Sequence, residues 1–388
     1  MIRQTRKIRI GSLSIGGDSP IMIQSMCSTK TTDIESSLDL IDRLVRSGAG
    51  LVRLAVDNLQ DVEALAEIRK RTTANLSVDL QENFRLAEKV APFVDKIRYN
   101  PGHLFHLEPK LSWEEKVRYL ADAAGEHDCA LRIGVNCGSV DPNLLASFAD
   151  GIRTEDSDPI LQSALEHSAY LDSIGFTRYC VSIKDSDPRT VIGVNRRFAQ
   201  LRPEIPLHLG VTEAGMPPWG VLKSRFALET LLSEGIGDTL RVSLTVPSSR
   251  KTEEVEAGSS ILKNVEEKKI LDIRSCDLPK LNLISCPSCS RVQNGSFIDL
   301  AERVAQAVEF AKDYPITIAI MGCRVNGPGE SDNADIGLWC GPDCVNLKED
   351  SKFLGSWNYD VILDQVIGLV KKKMEAIRLK NGNFESEK

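Results

Sequence analysis

Three cysteines and one glutamate in the last third of the chain have the types and spacing of a metal centre. Cys286 and Cys289 form a C-x2-C pair in ISCPSCSR, and Cys323 opens CRVNGPGE, which ends on Glu330. A C-x2-C pair suits zinc, an iron–sulfur cluster or a redox dithiol. Zinc asks for a further Cys or His, yet His103, His106, His127, His167 and His208 all lie far upstream. A structural zinc would therefore draw on Cys340 and Cys344 of CGPDC, and that alternative stays open. The run Asn326-Gly327-Pro328-Gly329 favours iron, because its glycines permit a tight turn that returns Glu330 toward the Cys323 sulfur. Three thiolates and one carboxylate would give a cluster one hard, exchangeable ligand. An iron with such an opening can act as a Lewis acid on a substrate oxygen and deliver electrons to it.

A second set of chemical residues lies upstream, at the ends of short apolar runs. It comprises Arg53, Asp79, Arg98 with Asn100, Arg132 with Asn136, Lys184, His208 with Glu213, and Arg241 with Ser243. One arginine in a strand is ordinarily a rim residue. Several cations aimed at one place repel unless an anion neutralises them. Arginine forks match phosphate oxygens and lysine adds a point charge, so the expected ligand is a small, multiply charged anion such as a diphosphate. Glu213, in HLGVTEAG, reads as an acid–base group or as an ion-pair partner of Lys184 or Arg241. His208 lies within its strand and fits either a packed core or a functional role.

The elements that must position these groups follow from hydrophobic patterning. Apolar, β-branched runs at 21–26, 51–56, 76–80, 96–100, 130–135, 178–183, 206–211 and 239–244 alternate with stretches of helical period. In IESSLDLIDRLVRSG the period sets Leu38, Ile41, Leu44 and Val45 on one face. This rhythm predicts an α/β fold, a (β/α)8 TIM-type barrel, with the cations at the C-terminal strand ends where such barrels build their sites. An open doubly wound sheet competes, but the chain has neither a G-x-G-x-x-G turn nor a Walker loop. A hairpin over KIRIGSLSIGG is expected to cover the N-terminal face. Residues 1–270 form the expected barrel domain and residues 271–388 a smaller α+β domain carrying the cysteines, with a polar, disordered tail over the last ten residues. A net charge of −7 disfavours broad nucleic-acid binding. The N-terminus lacks the apolar core of a signal peptide and no stretch matches a membrane span. A cytoplasmic protein with reduced cysteines is expected.

The motifs PIMIQSM, IRYNPG, RIGVNCGS, HLGVTEAG, GIGDTLRVSLT, ISCPSCSR and MGCRVNGPGE occur in one order along nearly the whole chain. In this the chain resembles the 4-hydroxy-3-methylbut-2-enyl diphosphate synthase family of the non-mevalonate isoprenoid pathway, in its two-domain bacterial form. The resemblance implies reductive ring opening of 2-C-methyl-D-erythritol 2,4-cyclodiphosphate to (E)-4-hydroxy-3-methylbut-2-enyl diphosphate and water, with two electrons from ferredoxin or flavodoxin. It implies a [4Fe-4S] cluster on Cys286, Cys289, Cys323 and Glu330, the glutamate yielding to substrate oxygen. It implies that Arg53, Asp79, Arg98, Asn100, Arg132, Asn136, Lys184, Arg241 and Ser243 bind the substrate, and that Glu213 handles protons. It also implies a homodimer with the active site between chains.

The chain departs from the family pattern in places. DLQE puts Gln81 where a histidine is common, which allows hydrogen bonding but no proton shuttling at neutral pH. Cys27 and Ser28 replace a common Thr-Asn pair, and TEAGMPPWG lacks a second glycine pair. Cys129, Cys137, Cys180 and Cys276 read as small core residues. Two other classes fit the cations as well: a zinc-stapled, non-enzymatic binder of phosphorylated metabolites, and a non-redox iron–sulfur hydro-lyase.

Overall fold

The computed structural model of the protein describes residues 3–149, 158–271, 279–292, 294–323, 331–332 and 334–385. The chain divides into two compact units that do not follow chain order. One comprises Met1–Thr212, Val221–Ser243 and Ser248–Leu271; the other comprises Glu213–Gly220, Leu244–Pro247 and Asp272–Lys388.

The first unit is a parallel barrel. Its strands are β3 (Met22–Met26), β4 (Leu51–Val56), β5 (Leu76–Leu80), β6 (Lys96–Tyr99), β7 (Ala130–Asn136), β8 (Tyr179–Lys184), β9 (His208–Leu209) and β10 (Thr239–Leu240). They pair in the order β8-β7-β6-β5-β4-β3-β10-β9, and a parallel bridge between Val181 and Leu207 joins the two ends. Each of the eight apolar runs is a strand, which excludes the open doubly wound sheet. Helices α1 (Ile34–Arg46), α2 (Leu59–Arg71), α3 (Ala87–Val90), α4 (Trp113–Glu126), α5 (Pro142–Ala149), α6 (Pro159–Ser173), α7 (Pro188–Leu201), α8 (Trp219–Ser233) and α9 (Glu253–Glu266) make the returns. Local chemistry starts several of them. Asn58 with Asp61, and Ser112 with Glu115, form reciprocal capping boxes at α2 and α4. Strands β1 (Ile8–Ile10) and β2 (Leu13–Ile15) form the expected antiparallel hairpin. Its Ile8, Ile10 and Ile15 pack with Met22, Leu51, Ala130 and Cys180, which lie at or next to the N-terminal strand ends, and so cover that face.

Two local expectations need correction. On α1 the buried stripe is Ser37, Leu40, Ile41 and Leu44, while Val45 is 40% exposed. Counting from Ser37, the i, i+3, i+4, i+7 period ends at Leu44, and Val45 turns a further step around the helix. The single helix expected over FRLAEKVAPFV breaks into short pieces, 84–86, α3 and 91–93. Pro92 lacks an amide hydrogen and restricts Ala91, so a longer α-helix cannot run through it.

The second unit is a mixed sheet, β11 (Asn282–Ser285), β12 (Thr317–Met321), β13 (Ile336–Cys340), β14 (Val345–Glu349) and β15 (Lys352–Trp357), paired in chain order. The first three strands run parallel and the last two are antiparallel. Helices α10 (Ser296–Ala307) and α11 (Ile362–Glu385) bury Phe297, Leu300, Val304, Val366 and Val370 against Ile318, Ile320 and Leu338. The hairpin β14–β15 was not expected from sequence, and α11 continues to Glu385, into the tail expected to be disordered. Most of the expected linker, with Cys276, lies outside the described residues.

Candidate active site: a cation-lined barrel end and a cysteine cluster

Parallel pairing sets the upstream groups side by side. Asp79 is in register with Arg98, Arg98 with Arg132, and Asn136 with Lys184. Residues in register on neighbouring strands share a face, so Asp79, Arg98 and Arg132 stand at one level and Asn136 with Lys184 four residues further along. Arg98 is 4% exposed and donates to Asp79 Oδ1 at 2.7 Å, to the Gly134 carbonyl at 2.8 Å and to Gln81 Oε1 at 3.3 Å. Its guanidinium lies over Gly134, where a Cβ would stand 2.2 Å from Nε. Arg132 donates to Ser182 Oγ at 3.0 Å. Arg53 rests on the Met26 sulfur at 2.9 Å, and Arg241 reaches both Glu254 carboxylate oxygens at 3.4 Å.

Beneath them runs a buried chain of hydrogen bonds. Lys96 Nζ donates to Gln24 Oε1 at 3.0 Å and Gln24 Nε2 donates to Thr239 Oγ1 at 3.0 Å. Thr239 Oγ1 meets His208 Nδ1 at 2.6 Å, and His208 Nε2 meets Lys184 Nζ at 3.1 Å. His208 therefore holds Lys184 in place as well as packing in the core. Asn100 is buried, donates to Ser139 Oγ at 2.8 Å and accepts from the Gly102 amide at 3.1 Å. Asn136 precedes the turn at 137–139, and Ser243 is buried beyond β10.

The cations sense one another. Burial, followed by Arg53 and Arg98, holds Arg132 well below its ordinary range. Burial, followed by Arg132, Arg241, Arg53 and Arg98, does the same to Lys184. The five cations thus form one electrostatic set, although only Arg98, Lys184 and Arg241 lie near the C-terminal strand ends, as expected of all five. Arg53 and Arg132 sit third in longer strands, because β4 and β7 run on beyond them. Asp79 is tied to Arg98 and Glu254 to Arg241. Positive charge remains in surplus, and an anion bound there would reverse the cost of gathering it. The sequence reading missed Lys96, Gln24 and Glu254. Lys96 opens its strand, where a lysine reads as solvent-facing. Lys251 and Glu254 pair at 2.8 Å with both side chains fully buried, whereas their three-residue spacing in the sequence reads as an ordinary surface pair.

The second unit gathers the thiols. Cys286 follows β11 directly and its amide bonds to the Ile320 carbonyl of β12 at 3.1 Å. Cys323 stands two residues past β12, so neighbouring parallel strands deliver both sulfurs to the same edge. Gly322 fits against the Phe297 ring, 3.0 Å from where a Cβ would be. The Cys286 thiol is pushed well above its ordinary range, first by a hydrogen bond with Cys323, then by burial and by the charges of Cys323, Cys289 and Glu213. A thiol that resists ionising beside two further sulfurs is one that a cationic metal centre would relieve. Glu330 lies outside the described residues. Cys340 is enclosed in the hydrophobic core with its thiol bonded to Tyr359, whereas the Cys286 thiol bonds to Cys323.

Two strips from the barrel half of the sequence belong to this second unit. Glu213, fully buried at φ 51°, accepts the Ser285 amide on its carbonyl at 3.2 Å, and Ala214 bridges Ser285. Non-glycine residues seldom adopt such a φ, and where they do the surrounding structure enforces it. Thr245 Oγ1 donates to the Cys286 carbonyl at 2.9 Å and Ser288 Oγ to the Val246 carbonyl at 2.7 Å. The sequence placed Glu213 among the barrel cations; in the structure its charge also bears on Cys286, whose thiol it helps to raise.

These features define a class of protein, a (β/α)8 barrel with a cation-lined end and a smaller mixed-sheet domain with three clustered thiols. The chain belongs to the GcpE family: the GcpE TIM-barrel domain matches residues 5–259 and the GcpE protein C-terminal domain matches residues 282–372. It is 57% identical over 362 residues to the 4-hydroxy-3-methylbut-2-en-1-yl diphosphate synthase (flavodoxin) of Rhodopirellula baltica, covering 93% of this chain and 94% of the relative. The protein of the same name from Nautilia profundicola is 36% identical over 376 residues, covering 96% and 98%. That from Acinetobacter baumannii is 38% identical over 337 residues, covering 87% and 84%. Among the described residues no helix is long and apolar enough to cross a membrane.

Proposed function

We propose that the protein is a flavodoxin-dependent 4-hydroxy-3-methylbut-2-en-1-yl diphosphate synthase, an oxidoreductase of isoprenoid biosynthesis. It opens 2-C-methyl-D-erythritol 2,4-cyclodiphosphate reductively to (E)-4-hydroxy-3-methylbut-2-enyl diphosphate. One C–O bond to the ring phosphate and one C–OH bond break, two electrons from flavodoxin enter, and the hydroxyl leaves as water after taking up a proton. The observation that carries this reading is likeness at 57% identity over 93% of the chain to an enzyme of that name.

In this reading Arg53, Arg98, Arg132, Lys184 and Arg241 clamp the diphosphate, since their mutual repulsion falls when its charge arrives. Asp79 orients Arg98, His208 orients Lys184, and Asn100, Asn136 and Ser243 offer polar atoms to ester oxygens and hydroxyls. Glu213 supplies the proton to the departing hydroxyl. Cys286, Cys289, Cys323 and Glu330 would hold a [4Fe-4S] cluster. When bound, that cluster supplies electrons and Lewis acidity. We assign residues 1–270 to substrate binding and 271–388 to the cluster domain, with the strip around Glu213 contributed across that boundary. Two copies are taken to pair, which light scattering checks against the 42.8 kDa chain mass.

The test is turnover by anaerobically reconstituted protein, with iron and sulfide counted per chain. Product that appears only with reduced flavodoxin, at about four irons and four sulfides, is the expected result. Product without reductant would mean a hydro-lyase. Stoichiometric zinc without sulfide and without turnover would mean a binding protein.

A further inference from the structure

Glu82, His103 and His106 meet at the C-terminal rim of the barrel, in the segments that follow β5 and β6. One carboxylate oxygen and one ring nitrogen from each histidine lie within 4.8 Å of one another. His103 is buried, whereas Glu82 and His106 are exposed, so the group opens to solvent on one side.

The loops that carry these donors are pinned from several directions. The His103 amide bonds to the Asn100 carbonyl at 3.0 Å and the His106 amide to the His103 carbonyl at 3.4 Å. These turns leave the two rings with centroids 5.3 Å apart and planes inclined by 34°. Gly102 packs so tightly that a Cβ there would stand 1.7 Å from the Ser139 carbonyl oxygen. Lys116 donates to the carbonyls of Leu104 and Leu107, at 2.7 Å each. Arg85, three residues past Glu82, forks onto Glu108, two residues past His106, with both contacts at 2.8 Å. That ion pair ties the glutamate-bearing segment to the histidine-bearing one.

We propose that Glu82, His103 and His106 form a zinc-class divalent metal site on the barrel rim, separate from the cysteine set. Two imidazole nitrogens and one carboxylate are a donor set that zinc takes with water in the remaining position. Calcium and magnesium prefer all-oxygen cages and copper(I) prefers sulfur, so none of the three fits as well. Donors about 2.1 Å from an ion stand roughly 3.4 Å apart in a tetrahedral shell. Side-chain rotation at the two exposed positions closes the remaining gap. The neighbours give such an ion a consequence. Gln81, beside Glu82, accepts from Arg98, and Asn100 caps the turn that carries His103. A bound ion would stiffen the stretch of rim that flanks the cation set. The proposal does not depend on which reaction the enzyme performs.

The experiment uses full-length, cluster-loaded protein equilibrated anaerobically with zinc buffered near micromolar, with bound zinc and iron counted and zinc-edge X-ray absorption recorded. The wild type should retain about one zinc per chain, with nitrogen and oxygen near 2.0–2.2 Å and no sulfur near 2.3 Å. Glu82→Ala and His106→Ala, both at exposed positions, should each weaken zinc at least about tenfold with iron content unchanged. No retained zinc, sulfur in its shell, or undiminished binding in either variant would overturn the site.

Discussion

Arg98 owes its position to what Gly134 lacks. The guanidinium crosses the space a side chain would fill and finds Asp79 and the Gly134 carbonyl on either side. Gly134→Ala would place a methyl 2.2 Å from Nε and push the fork away. Losing a charge-assisted bond of about 1.5–3 kcal/mol should raise KM for the cyclic diphosphate at least about tenfold, as steady-state kinetics would read. An unchanged KM would remove Arg98 from the substrate clamp. Lys96 is the second instructive residue. Burial lowers its ammonium to about 7, with Arg132 and Arg53 adding to the effect. A folded value below the unfolded one means that the unfolded chain binds more protons between about pH 7 and the ordinary 10.5. Stability therefore rises with pH across that window, and the cost is fully present below it. Lys96→Met abolishes this slope. The stability difference should move toward the wild type by up to about 1.4 kcal/mol per pH unit in urea unfolding at pH 7.5, 8.5 and 9.5. A difference that did not vary with pH would mean the ammonium keeps its proton against Gln24.

At the scale of elements, the cysteine edge depends on how β12 leaves the sheet. Gly322 lets the chain pass the buried Phe297 ring on its way to Cys323. Gly322→Ala forces a Cβ to within 3.0 Å of that ring, an overpacking that should cost about 1–3 kcal/mol. Iron bound per chain after reconstitution should fall, and adding Phe297→Leu should restore much of it. Full iron loading in the single variant would show that the thiols tolerate the shift. The elements themselves were largely legible. The eight barrel strands announce themselves as apolar, β-branched runs because both of their faces are buried. β14 and β15 escaped notice because Lys348, Glu349, Asp350 and Lys352 interrupt the pattern on a sheet margin where most residues of β15 are exposed. Strand positions marked Arg98, Arg132 and Lys184 as candidates. Nothing in spacing could show that Glu254 of α9 returns to meet Arg241, since that contact depends on how the barrel closes.

Across the whole molecule, the boundary between units does not fall at one point in the sequence. Glu213–Gly220 and Leu244–Pro247 belong to the second unit although barrel chain precedes and follows both. A fragment ending at Leu271 would keep these strips and lose their partners, Ser285, Cys286 and Ser288. It should aggregate, or unfold at a urea midpoint well below the full chain's barrel transition, followed by circular dichroism. A fragment with the full chain's midpoint would reduce the strips to ordinary barrel loops. The arrangement also bears on inheritance. Two short runs of codons inside the barrel's reading frame encode parts of its neighbour, so a genetic crossover just before residue 272 would pair a foreign second unit with strips fitted to another. A chimera joined there should fold less stably than one that also exchanges Glu213–Gly220 and Leu244–Pro247.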